Sequence, residues 1–256
     1  MVPETSAWRG SSEYDFMDEV GVDDLAWECL RRNGEYQRDY ANLLKTSRAD
    51  EPLSADLSER WGYDFAARPS LSGIDEPVFW NPEIDTSVVF LTNDFVSPDS
   101  SSKTIADLAQ ATQRLASDGV HLLLQALSPA IHMIIQPEVS PDLPLAALVP
   151  LGADGLDRIE ALIRLYRQLH HLPVPTDTRL TPQQRRRLKN MLRAADGRSN
   201  HADYREIAEV IFGVARVAAD PWKTSALRDA TMDLVKDGFA MIDSGYRKLL
   251  RHRRRS

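Results

Sequence analysis

Four polar side chains near the end of the chain have the types that contact DNA. They are Lys223, Thr224, Ser225 and Arg228. Asp220 and Pro221, which precede them, suit the capping and first positions of a helix. The apolar face of that helix is formed by Leu227, Ala230, Leu234 and Met241. The four polar side chains are therefore predicted to point outward from the helix start, where a recognition helix contacts phosphates and base edges.

A second helix is predicted immediately before this one. Asp203 is suited to cap it, and Gly213 suits a left-handed exit. Its inward face is formed by Ile207, Ala208 and Ile211. Arg205 in this helix is a further candidate DNA contact. Because residues 214–219 are more than the usual short turn, the pair is predicted to be a helix-turn-helix with an extended turn.

A third helix, starting after Thr181 with Pro182 in its first turn, supplies the usual partner of such a motif. It is predicted to bury Leu188, Met191 and Leu192. Its exposed basic side chains, all candidate DNA contacts, are predicted to be Arg185, Arg186, Lys189 and Arg193. By pattern alone, a buried helical hairpin with a hydrated polar face is an equal alternative, and the third helix favours the DNA-binding interpretation.

The charge of the chain is distributed unevenly. The 256 residues carry a net charge of −7, which by itself argues against a nucleic-acid binder. From Arg179 onward, however, there are 18 Lys+Arg against 9 Asp+Glu, so this part is basic and the preceding part strongly acidic. Such asymmetry indicates a basic working surface on one part of the molecule. The basic run from Tyr246 to Ser256 is either a frayed terminus or a further phosphate contact.

The acidic N-terminal part is predicted to form a small helical domain over residues 14–86, after a disordered segment 1–13. Asp23 or Asp24 is predicted to cap its first helix, and Asn33-Gly34 to end it. Residues 77–82 are predicted to lie extended on another surface, because prolines stand at both ends. Five aromatic residues exceed what this small domain can bury, so some are predicted to contact the C-terminal domain: Trp27, Tyr36, Tyr40, Phe79 and Trp80.

Short strands are predicted in the middle of the chain. Residues 87–92 read as a strand, 120–127 and 130–136 as a hairpin, and 145–151 as a strand or buried connector. Residues 104–116 read as a short helix or an inserted loop after a serine-rich turn at 99–103. A helix over 154–171 is predicted to turn inward Leu156, Ile159, Leu162, Ile163, Tyr166 and Leu169.

These elements predict an α+β fold that is mostly helical, with a small helical N-terminal domain, a short sheet and a C-terminal helix-turn-helix. The DNA-binding domain is predicted to span 87–252, with its helix-turn-helix bundle at 180–250 and a basic tail at 253–256. A proline-bearing linker at 172–180 connects the two parts of that domain.

Enzymatic chemistry is not indicated. Ser100 and Lys103 match an S-x-x-K pattern, and Lys223-Thr-Ser225 faintly resembles K-T-G, but the other groups of that catalytic set are missing. The adjacent His170 and His171 point to different helix faces, and we predict neither a metal site nor a cofactor. Cys29, the only cysteine, is predicted to pack in the core. We find no apolar run long enough for a membrane span and expect a cytoplasmic, nucleoid-associated protein.

The motifs resemble a known family. In the C-terminal part the matching segments are Leu180–Leu188, Tyr204–Gly213, Trp222–Asp229 and Gly245–Leu250, which look like the extended-turn helix-turn-helix domain of proteobacterial conjugative elements. In the N-terminal part they are Tyr14–Phe16, Leu25–Asn33, Tyr36–Tyr40 and Pro77–Trp80, which resemble a small transcriptional-regulator-like domain. The two-domain order is similar to that of the rhizobial activators of excision, which promote transcription of an excisionase gene on an integrative and conjugative element.

The resemblance implies a sequence-specific DNA-binding transcriptional activator of excision or transfer genes. Its implied partners are promoter DNA, RNA polymerase, and an antiactivator that is related to the C-terminal domain and competes for its contact with the N-terminal domain. Family members with an acidic C-terminal surface and no first domain are antiactivators, whereas this chain has the first domain and basic C-terminal helices. The alternative is an antiactivator-type protein-interaction module that does not touch DNA, which the net negative charge favours.

Overall fold

A buried tryptophan anchors the beginning of the chain. The computed structural model describes residues 3–45, 51–94 and 102–251. Trp8 is 0% exposed, and a Cβ atom at Gly197 would lie 3.1 Å from its ring, so the glycine lets the indole approach a C-terminal helix. Asn200 Nδ2 also donates a hydrogen bond to the carbonyl oxygen of Thr5 at 3.0 Å. The prediction of disorder over 1–13 is therefore wrong for residues 3–13, because Trp8 fills a gap in the hydrophobic core.

The N-terminal domain is helical, as predicted. A 3-10 helix spans Ser11–Asp18, and the α-helices are α1 (Val22–Leu30), α2 (Gly34–Leu43) and α3 (Ala55–Trp61). Helix α1 begins after Gly21 and not after Asp23, because the Asp24 carboxylate accepts the N–H of Gly21 at 3.2 Å. Asn33 separates α1 from α2 and caps α2, since its Oδ1 accepts the N–H groups of Glu35 and Tyr36.

A five-stranded sheet follows. Its strands are β1 (Val89–Thr92), β2 (Thr112–Ala116), β3 (Gly119–Leu124), β4 (Ile131–Ile135) and β5 (Ala146–Leu148). The order is β2-β3-β4-β1-β5, with β1 parallel to β4 and the other neighbours antiparallel. The predicted hairpin is thus β3 and β4, the strand predicted at 87–92 is confirmed as β1, and of the two alternatives for residues 145–151 the strand is the one formed, as β5.

Strand β2 was not predicted. Residues 104–116 were expected to form a helix or a loop, whereas a 3-10 helix at Ile105–Leu108 is followed by β2. The strand lies at the edge of the sheet, and its residues alternate between partly buried and exposed. It therefore lacks the continuous apolar run by which β3 was recognised in the sequence. Residues 95–101 lie outside the described residues. They contain most of the predicted serine-rich turn, including Ser100 of the S-x-x-K pattern.

The two faces of the sheet pack against different parts of the chain. One face, with Leu122 and Met133, packs on Ala161 and Leu165 of α4 (Gly155–Leu169). The other face, with Leu123, packs on Phe65 and Phe79 of the N-terminal domain. The sheet is therefore a middle layer between α4 and the N-terminal domain.

On the sheet face that packs on the N-terminal domain, a hydrogen-bonded pair of histidines joins the sheet to Trp80. His132 Nδ1 lies 3.1 Å from the carbonyl oxygen of Trp80, and because a carbonyl only accepts, Nδ1 carries the hydrogen. His132 Nε2 then accepts from His121 Nδ1 at 3.1 Å, and His121 Nε2 lies 2.9 Å from the Asp118 carboxylate. The extended segment at 77–82 is thus bonded to β4, in agreement with the prediction that it lies on another surface.

The inward face predicted for α4 is wrong for four of its six residues, since only Leu162 and Leu169 pack against the core. Its predicted apolar residues include Leu156, Ile159, Ile163 and Tyr166, which are among the exposed large hydrophobic residues. Its buried side chains include instead Asp157, Arg158 and Arg164. The helix is turned because Arg158 and Arg164 donate hydrogen bonds to the carbonyl oxygens of Val88 and Pro129, at 2.7 and 2.9 Å, and Thr86 donates to Asp157 at 2.5 Å.

The C-terminal part contains the predicted three-helix arrangement. Its α-helices are α5 (Pro182–Ser199), α6 (Tyr204–Phe212), α7 (Val214–Ala218) and α8 (Ala226–Asp243), followed by a 3-10 helix at Gly245–Leu250. Helices α5, α6 and α8 contact one another. The predicted caps of α5 and α6 are confirmed: Thr181 accepts the N–H of Gln184, and Asp203 accepts that of Glu206.

The extended turn is itself helical. It contains α7 and a 3-10 turn at Trp222–Thr224, so α8 begins after Ser225 and not at Asp220 as predicted. Helices α5 and α8 approach each other closely at Gly238 of α8. A Cβ atom at this position would lie only 2.3 Å from the carbonyl oxygen of Met191 in α5. Glycine at this position is required for the contact.

One hydrophobic core crosses the predicted domain boundary at residue 86. It joins buried residues of the N-terminal helices, including Cys29, to residues of α5, α6 and α8. Cys29 is a free, fully buried thiol, as predicted. None of the described helices combines the length and the apolar character that crossing a membrane requires.

Candidate nucleic-acid interface

The start of α8 carries three of the four predicted DNA contacts on its surface. Lys223 and Thr224 are exposed in the 3-10 turn before the helix, and the Thr224 hydroxyl donates to the Pro221 carbonyl oxygen at 3.3 Å. Arg228, in the first turn of α8, has a side chain that is 42% exposed, and its guanidinium lies 3.5 Å from the Asp229 carboxylate. These side chains can reach a DNA strand that passes the N-terminal end of the helix.

Ser225 has a different position from the one predicted. It is buried, and its Oγ accepts the N–H of Leu227 at 3.2 Å. The prediction that Ser225 points outward is wrong because this residue is the N-cap of α8, which turns its hydroxyl back onto the helix.

Beyond its first turn, the charged residues exposed on α8 are mostly acidic. Asp229, Asp233 and Asp243 are exposed on it, together with a single lysine, Lys236. Carboxylates repel phosphates, so the geometry suits a helix that meets DNA with its N-terminal end and not along its length.

Three of the four cations predicted to be exposed on α5 are bonded to the N-terminal segment. Arg185 donates to the carbonyl oxygens of Met17 and Val20 at 2.8 and 2.7 Å. Arg193 is 6% exposed and donates to the carbonyl oxygens of Trp8 and Arg9. The prediction that these two point into solvent is wrong, because the N-terminal segment covers this face of α5.

Lys189 is engaged by carboxylates from the same segment. Its Nζ lies 2.7 Å from Asp15 Oδ1 and 2.8 Å from Asp18 Oδ2. Burial by itself would lower the pKa of Lys189. The hydrogen bonds to Asp15 and Asp18 outweigh that effect, so the pKa is above its ordinary value. Of the four cations, Arg186 is the one that remains exposed. On α6, Arg205 is also accessible, with a side chain 53% exposed and an ion pair to Glu209 at 3.0 Å.

The five aromatic residues predicted to contact the C-terminal domain fall into two groups. Trp80 packs on Tyr246, and the Phe79 ring stands at a steep angle to the ring of His132, 5.5 Å away. Tyr36 packs edge-on against Trp27, and these two donate hydrogen bonds to the Ala67 and Leu71 carbonyl oxygens of the same domain. Tyr40 packs 6.3 Å from Tyr36. Ring contacts with the C-terminal part are therefore seen for the Phe79-Trp80 pair, while Trp27, Tyr36 and Tyr40 share one buried core with residues of α5, α6 and α8.

A buried ionic network joins the two parts. Arg32 Nε lies 3.0 Å from the Asp196 carboxylate, which also accepts the Tyr14 hydroxyl at 2.6 Å. Arg32 Nη1 lies 2.6 Å from Glu28 Oε2. Burial raises the pKa of Tyr14, and the neighbouring negative charge of Asp196 raises it further. The sequence offered no signal for this network, since Arg32 and Asp196 are 164 positions apart in the chain.

Two separate parts of the chain match known family models. Residues 148–251 match the family described as T6SS, transcription factor, DNA binding domain. Residues 7–66 match the proteobacterial transcriptional regulator-like domain. Both families are transcription regulators. No curated protein matches the chain significantly.

Together the two matches support a two-domain, DNA-binding transcription regulator. The first match covers α4 to the 3-10 helix after α8, so it includes Lys223, Thr224 and Arg228. The second covers Trp8 and helices α1 to α3. Residues 67–147, which contain nearly all of the sheet, belong to neither match. Neither family description is that of an enzyme, and within the described residues no group of His, Cys, Asp or Glu could hold a metal ion.

Proposed function

We propose that the chain is a sequence-specific transcriptional activator whose α8 meets promoter DNA with its N-terminal end. The observation that carries this proposal is the exposure of Lys223, Thr224 and Arg228 at the start of α8, within the part that matches a DNA-binding family. Arg228 has the length and donors to read a guanine edge, and Lys223 and Thr224 suit phosphate contact.

Arg186 and Arg205 complete the proposed interface as phosphate contacts on the neighbouring helices. Both side chains are exposed. Arg185, Lys189 and Arg193 are left out of it, because their donors are used by the N-terminal segment. These three side chains instead hold the N-terminal segment on α5.

The activating role and the target genes rest on the resemblance to activators of excision. We propose that the target is a promoter of excision or transfer genes on a conjugative element, and that the chain acts there on RNA polymerase. The N-terminal domain is present and packed on the C-terminal helices. An antiactivator related to the C-terminal domain would act by taking over that packing surface.

A protein-interaction module without DNA contact is the second candidate. The acidic residues Asp229 and Asp233 on the exposed face of α8 favour it. Such a face would bind a basic partner protein and would repel the DNA backbone.

The test uses the full chain and a pool of randomised DNA duplexes. Repeated selection should enrich a sequence, and the affinity for that duplex should fall steeply with salt because counterions are released. Lys223→Ala and Arg228→Ala should each weaken binding, by about 1 to 3 kcal/mol for a base contact. A phosphate contact would instead weaken binding to all duplexes alike and reduce the salt slope by about one.

Lys236→Ala is the matched control. It removes an exposed lysine from the same helix but from its acidic stretch, and should leave binding unchanged. If Lys223→Ala and Arg228→Ala both bind as the unaltered chain does, the N-terminal end of α8 is not the interface. If no duplex binds in a salt-dependent way, the protein-interaction candidate replaces the activator.

A further inference from the structure

An apolar stripe runs along the outer face of α4. It is formed by Leu156, Ile159, Ile163 and Tyr166, whose exposures are 54%, 38%, 46% and 57%. The ring of His170 continues the stripe, with its centroid 4.3 Å from that of Tyr166. At the ends of the helix, Leu151 is 99% exposed and Leu172 46%. Single exposed apolar residues are common in soluble proteins, whereas a continuous row marks a contact surface.

The spacing of the stripe is that of a helix–helix seam. Successive members are three, four and three residues apart, and His170 follows after four. This alternation of three and four is the narrow seam of paired helices, in which one helix inserts its side chains between those of another. The opposite face of α4 already packs on the sheet through Ala161 and Leu165, so the stripe is not needed for the core that the described residues form.

The charges beside the stripe indicate which helix fits. Glu160 and Arg167 lie on one flank, each one residue after a member of the stripe, and are seven residues apart. The other flank carries Gly155, Leu162 and Leu169, which have no charge. In a parallel pair, opposite flanks meet and the charges would face uncharged residues. In an antiparallel pair, the same flanks meet.

We propose that α4 pairs antiparallel with α4 of a second copy of this chain, across a two-fold axis near Ile163. Glu160 then faces Arg167 of the partner subunit, and the symmetry forms the reverse pair. Ile163 packs beside the partner's Tyr166. The two ion pairs and the two apolar layers are all self-complementary, which a two-fold contact requires.

The dimer should be weak. A helix of 15 residues is about 22 Å long and offers less than the roughly 800 Å² per partner of a standard interface. Dissociation in the micromolar range follows from that size. The proposal does not rest on DNA binding, because α4 is a different element from α8 and the test contains no DNA.

The test is sedimentation of the full chain over a range of concentrations. The mass should rise from 28.8 kDa to twice that value as the concentration increases. Ile163→Glu should raise the dissociation constant at least tenfold, because it places two carboxylates at the axis. Leu115→Glu is the matched control and should leave association unchanged, since Leu115 is 71% exposed on the edge strand β2 and is not part of the stripe.

A charge exchange tests the orientation. Glu160→Arg and Arg167→Glu should each weaken association about tenfold, because each creates like-charge contacts in both symmetric pairs. The double variant should restore it. Circular dichroism confirms that each variant is folded, and Tyr166→Ala replaces any variant that is not. A chain that stays monomeric up to high micromolar concentration, a dimer insensitive to Ile163→Glu, or a double variant that is not restored would each overturn the proposal.

Discussion

The indole ring of Trp80 packs on the phenol ring of Tyr246, with the ring centroids 5.8 Å apart. Tyr246 donates its hydroxyl hydrogen to the Trp61 carbonyl oxygen at 2.8 Å, and the Trp80 carbonyl oxygen accepts a hydrogen bond from His132 at 3.1 Å. A single residue of the N-terminal domain therefore contacts both the sheet and the helix that follows α8. Any displacement of the N-terminal domain must break this contact.

Replacing Trp80 with alanine should lower the free energy of unfolding by about 3 to 5 kcal/mol, because the side chain is 2% exposed and leaves a large cavity. Urea denaturation followed by circular dichroism measures this change. Trp222→Ala is the control, because Trp222 is only partly buried and is not among the residues of the buried core. Equal losses for the two variants would contradict the assigned role of Trp80.

Replacing Arg32 with methionine should also destabilise the fold, by about 3 to 5 kcal/mol, since Asp196 would be left buried without its counter-charge and Glu28 would keep only its ion pair with Arg31. Thermal denaturation at neutral pH measures the loss. Arg60→Met removes an arginine that is 48% exposed and pairs with Glu35, so it should cost no more than about 1 kcal/mol. An Arg32→Met variant as stable as the Arg60→Met variant would show that the buried network contributes little.

Acid should weaken the fold through His132. Burial, together with the nearby His121, lowers the pKa of His132 to about 3. An unfolded histidine titrates near pH 6.5, so below that pH the unfolded chain binds a proton that the folded chain does not. This contribution to stability is complete above pH 6.5 and is lost, at about 1.4 kcal/mol per pH unit, as the pH falls toward 3.

His132→Asn isolates that contribution, because asparagine can still donate to the Trp80 carbonyl oxygen but does not titrate. At neutral pH the variant should be less stable than the unaltered chain, and the difference between their unfolding free energies should shrink between pH 6.5 and 4.5. Other titrating groups are common to both chains and cancel. A difference that is constant over this range would refute the assignment.

Local signals in the sequence predicted the starts of α5 and α6. Thr181 with Gln184 and Asp203 with Glu206 form caps within four residues, so no distant part of the chain is needed to specify them. The β3–β4 hairpin was likewise predictable, because both strands are buried and apolar and are joined by a short turn around Pro129.

The features that the sequence patterns did not predict depend on contacts with residues far away in the chain. The stripe of α4 was taken for its core face, since nothing local tells that Arg158 and Arg164 find carbonyl oxygens on the sheet side. In the candidate interface, the exposure of Lys223 and Thr224 was predicted, whereas the loss of Arg193 and Lys189 to the N-terminal segment was not. Those two cations are bonded to residues more than 170 positions away in the chain.

The burial of Trp8 against Gly197 has a consequence for synthesis. The ribosome adds about 5 to 20 residues per second, so the indole emerges roughly 10 to 40 seconds before the helix that covers it, about 190 residues later. Throughout that interval one of the largest apolar side chains of the chain is available to chaperones. Translation that stops short of α5 would release a protein with a permanently uncovered tryptophan, which quality-control proteases can recognise as unfinished.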